Sequence, residues 1–159
     1  MTNNAQATDA PSPPLQYLLT QTSILVLHQT GQGISGGYEI SINGNGNATY
    51  VSNDPPQTTI STRSISNQSL TELINAFYQI HFFEFVDNYS VQKQVILQDN
   101  GTLATVARKI LDTASHKLCI KIADYQKCIT VIDNQPAVAA QLVKKIEALF
   151  PIGKSEVRP

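Results

Sequence analysis

The segment Tyr38-Glu39-Ile40-Ser41-Ile42 constrains this chain more than any other. Tyr38, Ile40 and Ile42 fall on one side of an extended chain and Glu39 and Ser41 on the other, which is the pattern of a half-buried strand. It runs into Asn43-Gly44-Asn45-Gly46-Asn47. Asn-Gly pairs tolerate the positive φ of a tight hairpin turn, so the chain is expected to turn back there. That strand decides what the glycine-rich stretch before it can be. Gly31, Gly33 and Gly36 spell the dinucleotide fingerprint G-x-G-x-x-G, while Gly33, Ser35 and Gly37 spell the nucleophile pattern G-x-S-x-G. Both patterns need a helix immediately afterwards, to bind a pyrophosphate at its N-terminus or to complete a strand–elbow–helix. A strand follows instead, so neither chemistry is expected. Gly31–Gly37 then reads as a flexible connector between the apolar strand Ser23–Gln29 and Tyr38–Ile42.

The length of 159 residues suits one domain. The sequence places a polar, Pro- and Ser-containing tail at 1–14, read as disordered, a single α+β domain at 15–151 and a short tail at 152–159. Ala48–Ser52 and Thr59–Ser66 continue the strands, broken by Asp54-Pro55-Pro56. Ser69-Leu70-Thr71-Glu72 has the form of a capping box, and Leu70, Leu73, Ile74 and Phe77 follow at helical spacing up to about Ile80. The aromatics around His81-Phe82-Phe83-Glu84-Phe85 read as core. Within 88–115, Val95–Gln98 reads as a strand that turns at Asp99-Asn100-Gly101, Leu103–Leu111 as strand or helix, and part of the region as a loose insertion. Lys117–Ala123 and Lys127–Asp133 form a second hairpin. Pro136 opens a final helix with Val138, Leu142, Ile146, Leu149 and Phe150 as its buried stripe, ended by Pro151 and Gly153. The expected architecture is an antiparallel sheet built as four strands, helix, hairpin and helix, with two helices packed on the sheet.

The charge pattern excludes some functions. Net charge is −1, and charged residues make up only 14% of the chain, with no basic run and no interleaved aromatics. Nucleic-acid binding is therefore not expected. Residues 1–92 carry one base and six acids, and residues 93–159 carry ten bases and six acids. The two halves are expected to attract each other mildly. No apolar run approaches the roughly 18 residues that span a bilayer, and Met1–Pro14 lacks the features of a secretory signal. The expected location is the cytoplasm, or the periplasm and envelope if a leader has been removed.

His28, His81 and His116 show no ligand spacing, and Asp99, Asn100 and Gly101 supply too few oxygens for a calcium loop. No cofactor, metal or catalytic residue is therefore expected. Pairing Ile120 with Ile129 and Leu118 with Val131 puts Cys119 opposite Thr130 and Cys128 opposite Lys121. The sulfurs then sit diagonally on one face and read as free thiols, whereas a one-step change of register would make a disulfide easy.

The chain as a whole resembles a bacterial, often envelope-associated family of domains with no assigned function. The resemblance covers about residues 23–150. It lies in Thr30-Gly31, Tyr38, Ile40, Ile42, Gly46, Tyr50, Leu70, Leu73, Phe82, Phe83, Phe85, Tyr89, Val131, Pro136 and Leu142. Many members of that family carry Cys-x-Gly-x-Cys-Pro in the first loop. This chain has no cysteine there, and any role of those thiols does not carry over. The chain is also similar, more distantly, to small bacterial inhibitors of thermolysin-type metalloproteases, which likewise join two strands by a glycine-glycine loop. The leading expectation is a non-catalytic interaction domain that meets a protein partner through Gly31, Gln32, Gly33, Ile34, Ser35, Gly36, Gly37 and Tyr38 and the adjacent sheet edge. A protease inhibitor using that loop comes second, and a serine hydrolase using Ser35 third.

Overall fold

The computed structural model describes residues 11–31, 36–54, 57–87, 89, 91–110 and 113–150. Eight strands and two helices give an α+β architecture. β1 (Thr22–Gln29), β2 (Tyr38–Asn43), β3 (Asn47–Asp54) and β4 (Gln57–Ser64) form an antiparallel meander. α1 (Asn67–Gln79), β5 (Val91–Leu97), β6 (Leu103–Lys109), β7 (Ser115–Ile122), β8 (Tyr125–Ile132) and α2 (Ala137–Glu147) follow. The sheet is larger than the four-strand meander read from sequence, because β7 pairs antiparallel with β1 and brings β8 with it. The strand order is β4-β3-β2-β1-β7-β8. β5 and β6 pair only with each other, as a separate hairpin.

The predicted alternation holds on β2, where Tyr38, Ile40 and Ile42 are buried and Glu39 is exposed. Ile24 and Val26 of β1, Leu118 and Ile120 of β7 and Ile129 and Val131 of β8 point to the same side. Leu70, Leu73, Ile74 and Phe77 of α1 and Ala139, Leu142, Val143 and Ile146 of α2 close that side into one core. Phe82 completes it, fully buried and edge-on to Phe77 at 4.9 Å. The opposite, outer face of the sheet carries no helix among the described residues. Its residues run in rows set by the register, with Ile60, Val51, Glu39, Leu27 and Lys117 in one and Thr62, Thr49, Ser41, Leu25 and Cys119 in the next.

Several boundaries move, each for a local reason. Ser66, not Ser69, caps α1. The Ser66 hydroxyl accepts the Ser69 N–H at 3.1 Å, and Glu72 takes the Gln68 side-chain amide instead of closing a capping box. The turn after β2 spans three residues, and only Gly46 is left-handed (φ 85°). A Cβ there would also run into the Ile65 carbonyl. On α2 the buried stripe runs through Ala139, Leu142, Val143, Ile146 and Phe150, while Val138 is 43% exposed. Leu142, Ile146 and Phe150 stand as read, while Ala139 and Val143 take the places expected of Val138 and Leu149; Pro136 stands outside the helix as its N-cap, joined to Gln135 by a cis bond. Pro13 and Pro14, placed in the tail by sequence, are half-buried and share a pocket with Ile74 and Tyr78 of α1. Residues 1–10 and 151–159, including Pro151 and Gly153, lie outside the described residues.

Residues 91–109 form a hairpin, with the strand and the turn at Asp99-Asn100-Gly101 where the sequence put them, Leu103–Lys109 as strand, and pairing where a loose insertion was expected. β5 and β6 pair from Val91↔Lys109 to Leu97↔Leu103. The polar turn between them is held by the Gly101 N–H on the Gln98 carbonyl and by the Asn100 side chain accepting the Thr102 N–H. Every residue of β5 is exposed.

The register of β7 and β8 is offset from the one read in sequence. Leu118 faces Ile129 and Cys119 faces Cys128. The two cysteines are bonded, with Cα atoms 4.1 Å apart, close to the spacing of directly opposed strand residues. The reading of two free thiols is thereby corrected. Apolar matching of Ile120 with Ile129 misled it, because Ile120 instead faces Lys127, whose stem lies in the core edge while its ammonium reaches Asp87 at 2.7 Å.

Candidate functional site

Two features converge at the end of the sheet where β1 stops and β2 begins. The first is the root of the glycine-rich loop. Gln32, Gly33, Ile34 and Ser35, and with them the centres of both catalytic patterns, lie outside the described residues. Gly31, Gly36, Gly37 and Tyr38 are described. Gly36 N–H donates to the Asn53 carbonyl at 3.4 Å and Asn53 N–H returns a bond to the Gly37 carbonyl at 2.9 Å. A Cβ on Gly37 would stand 2.7 Å from the His28 carbonyl oxygen, so only glycine lets the chain pass this close to β1. The loop is therefore pinned on its β2 side to both neighbouring strands. Tyr38 is 8% exposed and belongs to the core.

The same end carries the open edge of the sheet. β4 has Ile60 66% exposed, with Thr58, Thr59, Thr62, Arg63 and Ser64 also exposed. Its described side chains include one charge, Arg63, and no lysine or proline, the residues that commonly guard an edge. The other edge is guarded. The Thr130 N–H of β8 donates to the Asp87 carbonyl at 2.9 Å, and Lys127 is paired with the Asp87 carboxylate.

The second feature is a row of ionisable rings across β2, β1 and β7. Tyr38, His28 and His116 are register neighbours on the inner face. The ring centroids lie 5.0 Å apart for His28–Tyr38 and 4.5 Å for His28–His116. The Tyr38 hydroxyl and the Glu147 carboxylate of α2 each lie 3.2 Å from His116 Nε2. Burial, with a smaller contribution from the neighbouring His28, pushes the His116 imidazole down to about 4, and burial pushes the Glu147 carboxyl up. At pH 7 His116 is therefore neutral. A carboxylate only accepts, so the contact with Glu147 is a hydrogen bond from Nε2–H rather than an ion pair. His28 Nδ1 is buried without a hydrogen-bond partner among the described residues. A small pocket of about 240 Å³ opens on the α2 side of this cluster, lined by His116, Glu147, Lys144, Asp133 and Asn134. Asp133 and Asn134 both have positive φ, at 53° and 55°, in the turn leading to Pro136. In this state the Nε2–H proton is held in a hydrogen bond and not transferred, and the ring's edge at Nε2 is engaged within the protein.

Sequence reading put His28 in the strand Ser23–Gln29 and His116 just before the hairpin strand that it began at Lys117; β1 and β7 contain them. It could not bring them together, because their adjacency depends on β7 joining β1. One signal was available: His28 shares the parity of Ile24 and Val26, and His116 that of Leu118 and Ile120, which assigns both rings to the buried side. His81 lies apart, 73% exposed, at a left-handed position after α1. Among the described residues no group of three or more His, Cys, Asp or Glu side chains could hold a metal ion, and no helix is long and apolar enough to cross a membrane.

The cluster makes a measurable pH prediction. The folded pKa of His116 lies below its unfolded value near 6.5, so its protonation favours the unfolded chain. That contribution to stability is complete above about pH 6.5 and falls away as pH drops from 6.5 to about 4. The full shift corresponds to about 3 kcal/mol, and Glu147 offsets part of it, since burial raises its pKa and its protonation therefore favours the folded chain. His116→Gln is expected to flatten the loss of melting temperature between pH 6.5 and 4 relative to wild type. Parallel curves for the two proteins would refute the assignment.

No protein-family model matches this chain, and none of the curated proteins matches it.

Proposed function

We propose that this chain is a non-catalytic interaction domain that takes an extended segment of a protein partner where the glycine-rich loop meets the β4 edge. The unguarded edge carries this reading. Eight consecutive strand residues offer one unpaired row of backbone N–H and C=O groups, bounded by exposed Thr and Ile side chains. Such an edge is what strand addition uses, the backbone supplying affinity and alternate side chains supplying selectivity. The anchored root of the loop, tied to Asn53 next to the start of β4, supports a fixed wall at one end of that edge. Engagement of His116 Nε2 by Tyr38 and Glu147 supports a structural rather than a catalytic role for the ring cluster. The Cys119–Cys128 bond supports an oxidising compartment over the cytoplasm, where reducing systems keep thiols free.

The test is affinity capture from source lysate with wild type, with Ile60→Lys/Thr62→Lys, and with Gly31–Gly37 replaced by a Ser-Gly tract. Partners held by wild type are expected to be lost with the two lysines, which place charge on the edge without touching the core, and weakened with the replaced loop. Identical partner sets from all three proteins would sink the reading.

A further inference from the structure

We infer that two copies of this chain associate by exchanging their β5–β6 arms, each arm seating on the helix-free outer face of the other copy's sheet. The arm itself requires a cover. A lone two-stranded hairpin is marginal in water, and three strands or a packed face are needed to hold it. Here β5 is exposed throughout. The register puts Val91, Val95, Leu97 and Leu103 on one side of the arm, and these are its most exposed apolar residues, at 51%, 62%, 71% and 71%. Lys93, between Val91 and Val95, and Lys109, opposite Val91, lie on the same side.

The outer face of β3, β2 and β1 presents the complementary pattern. Val51 and Leu27 flank Glu39 in one row, and Leu25 stands in the next. Glu39 is the only charge among the described outer-face residues of β1 to β4. A cationic, otherwise apolar side of the arm thus meets an anion flanked by Val51 and Leu27, with Lys117 beyond Leu27 at the far end of the row. Beside it lies a concavity of about 280 Å³ whose lining mixes Leu25 and Cys119 with Ser41, Thr49, Asn47 and Lys121.

Area selects a second copy over a one-armed contact. Strands of seven residues at about 3.4 Å per residue and two strands about 10 Å wide cover roughly 240 Å². One seated arm then removes roughly 480 Å² counting both sides, while two reciprocal arms approach the roughly 1,000 Å² that a specific interface needs. Only a partner with the same arm and the same face supplies both contacts through one two-fold axis. The footprint on β3–β1 leaves the β4 edge free, so this assembly does not depend on the proposed partner site.

Sedimentation equilibrium from about 1 to 200 µM tests it on the full chain. Wild type is expected to be a dimer that Leu97→Ser/Leu103→Ser converts to monomer with an unchanged melting temperature of the body, since neither side chain is buried. Lys93→Glu and Glu39→Lys are each expected to weaken the dimer about threefold to fivefold, in the range of exposed charge pairs, and the double swap to restore it. A wild-type monomer across that range overturns the inference. So does a dimer that survives the Leu97/Leu103 change, or a double swap no tighter than the single variants.

Discussion

Phe77→Ala is expected to lower the stability of the fold by about 3–5 kcal/mol, the range for emptying a fully buried aromatic site. Phe77 is 0% exposed and sits at the crossing of three elements. Its own helix packs on the sheet through Leu70, Leu73 and Ile74, its ring meets the edge of Phe82 in the short helix that follows, and Phe82 touches Phe83 and Phe85 in turn. The cavity cannot be filled by a small adjustment, because Phe82 is itself fully buried and closely surrounded. Against a total of about 5–15 kcal/mol for a domain, such a loss takes most of the margin. Urea denaturation reads it as a lower midpoint at unchanged slope. Phe83→Ala is the control: Phe83 is only partly buried, and its loss is expected to be clearly smaller. Equal effects at the two positions would show that the core is not centred where the structure puts it.

Opening the Cys119–Cys128 bond is expected to cost about 2–3 kcal/mol, from the loop-closure entropy released to the unfolded chain by a short crosslink. A chain of this size loses roughly 2–4 °C of melting temperature per kcal/mol, so a drop of about 5–10 °C should follow reduction. Cys119→Ser/Cys128→Ser should reproduce it and should no longer respond to reductant. The bond clamps two strands already paired from Ser115↔Ile132 to Ile122↔Tyr125, so the folded pairing is expected to survive its loss. Oxidised and reduced protein melting at one temperature would show that the crosslink adds nothing.

Much of the meander was legible because each strand announces itself locally. The alternation at Tyr38–Ile42, the turn residues at 43–47 and the β-branched run Thr59–Ser66, whose strand is in fact Gln57–Ser64, are all near-neighbour signals. The α1 stripe from Leu70 to Phe77 is of the same kind. What escaped depends on pairings between distant segments. Nothing near Ser23–Gln29 says that Ser115–Ile122 will lie beside it, so the six-stranded sheet, the ring row and the open edge at β4 were out of reach. The β7–β8 register failed for a different reason. Isoleucine opposite isoleucine is a sound rule on one buried face, but Lys127 and Tyr125 take inner-face places at the sheet edge, where long side chains can be buried along their stems. The strand at Val95 and the turn at Asp99-Asn100-Gly101 were legible too, but the start of β5 at Val91 was not, because its apolar residues look alike whether they enter a core or stand outside one.

The pairing of β1 with β7 also orders events in time. Leu25 faces Cys119 across 94 residues of chain, so β1 is an inner strand of the finished sheet but an edge strand of everything made before it. As the polypeptide emerges during synthesis, β1 to β4 and α1 can assemble by short-range contacts, each strand meeting the next. Ile24 and Val26 then have no neighbour on one side until the last third of the chain arrives, and closing so long a loop is the slow, entropically costly kind of step. The half-made sheet has two bare edges in that interval. In the finished one, among the described residues, only the β4 edge is left bare, since β7 covers β1 and Asp87 guards the far side of β8.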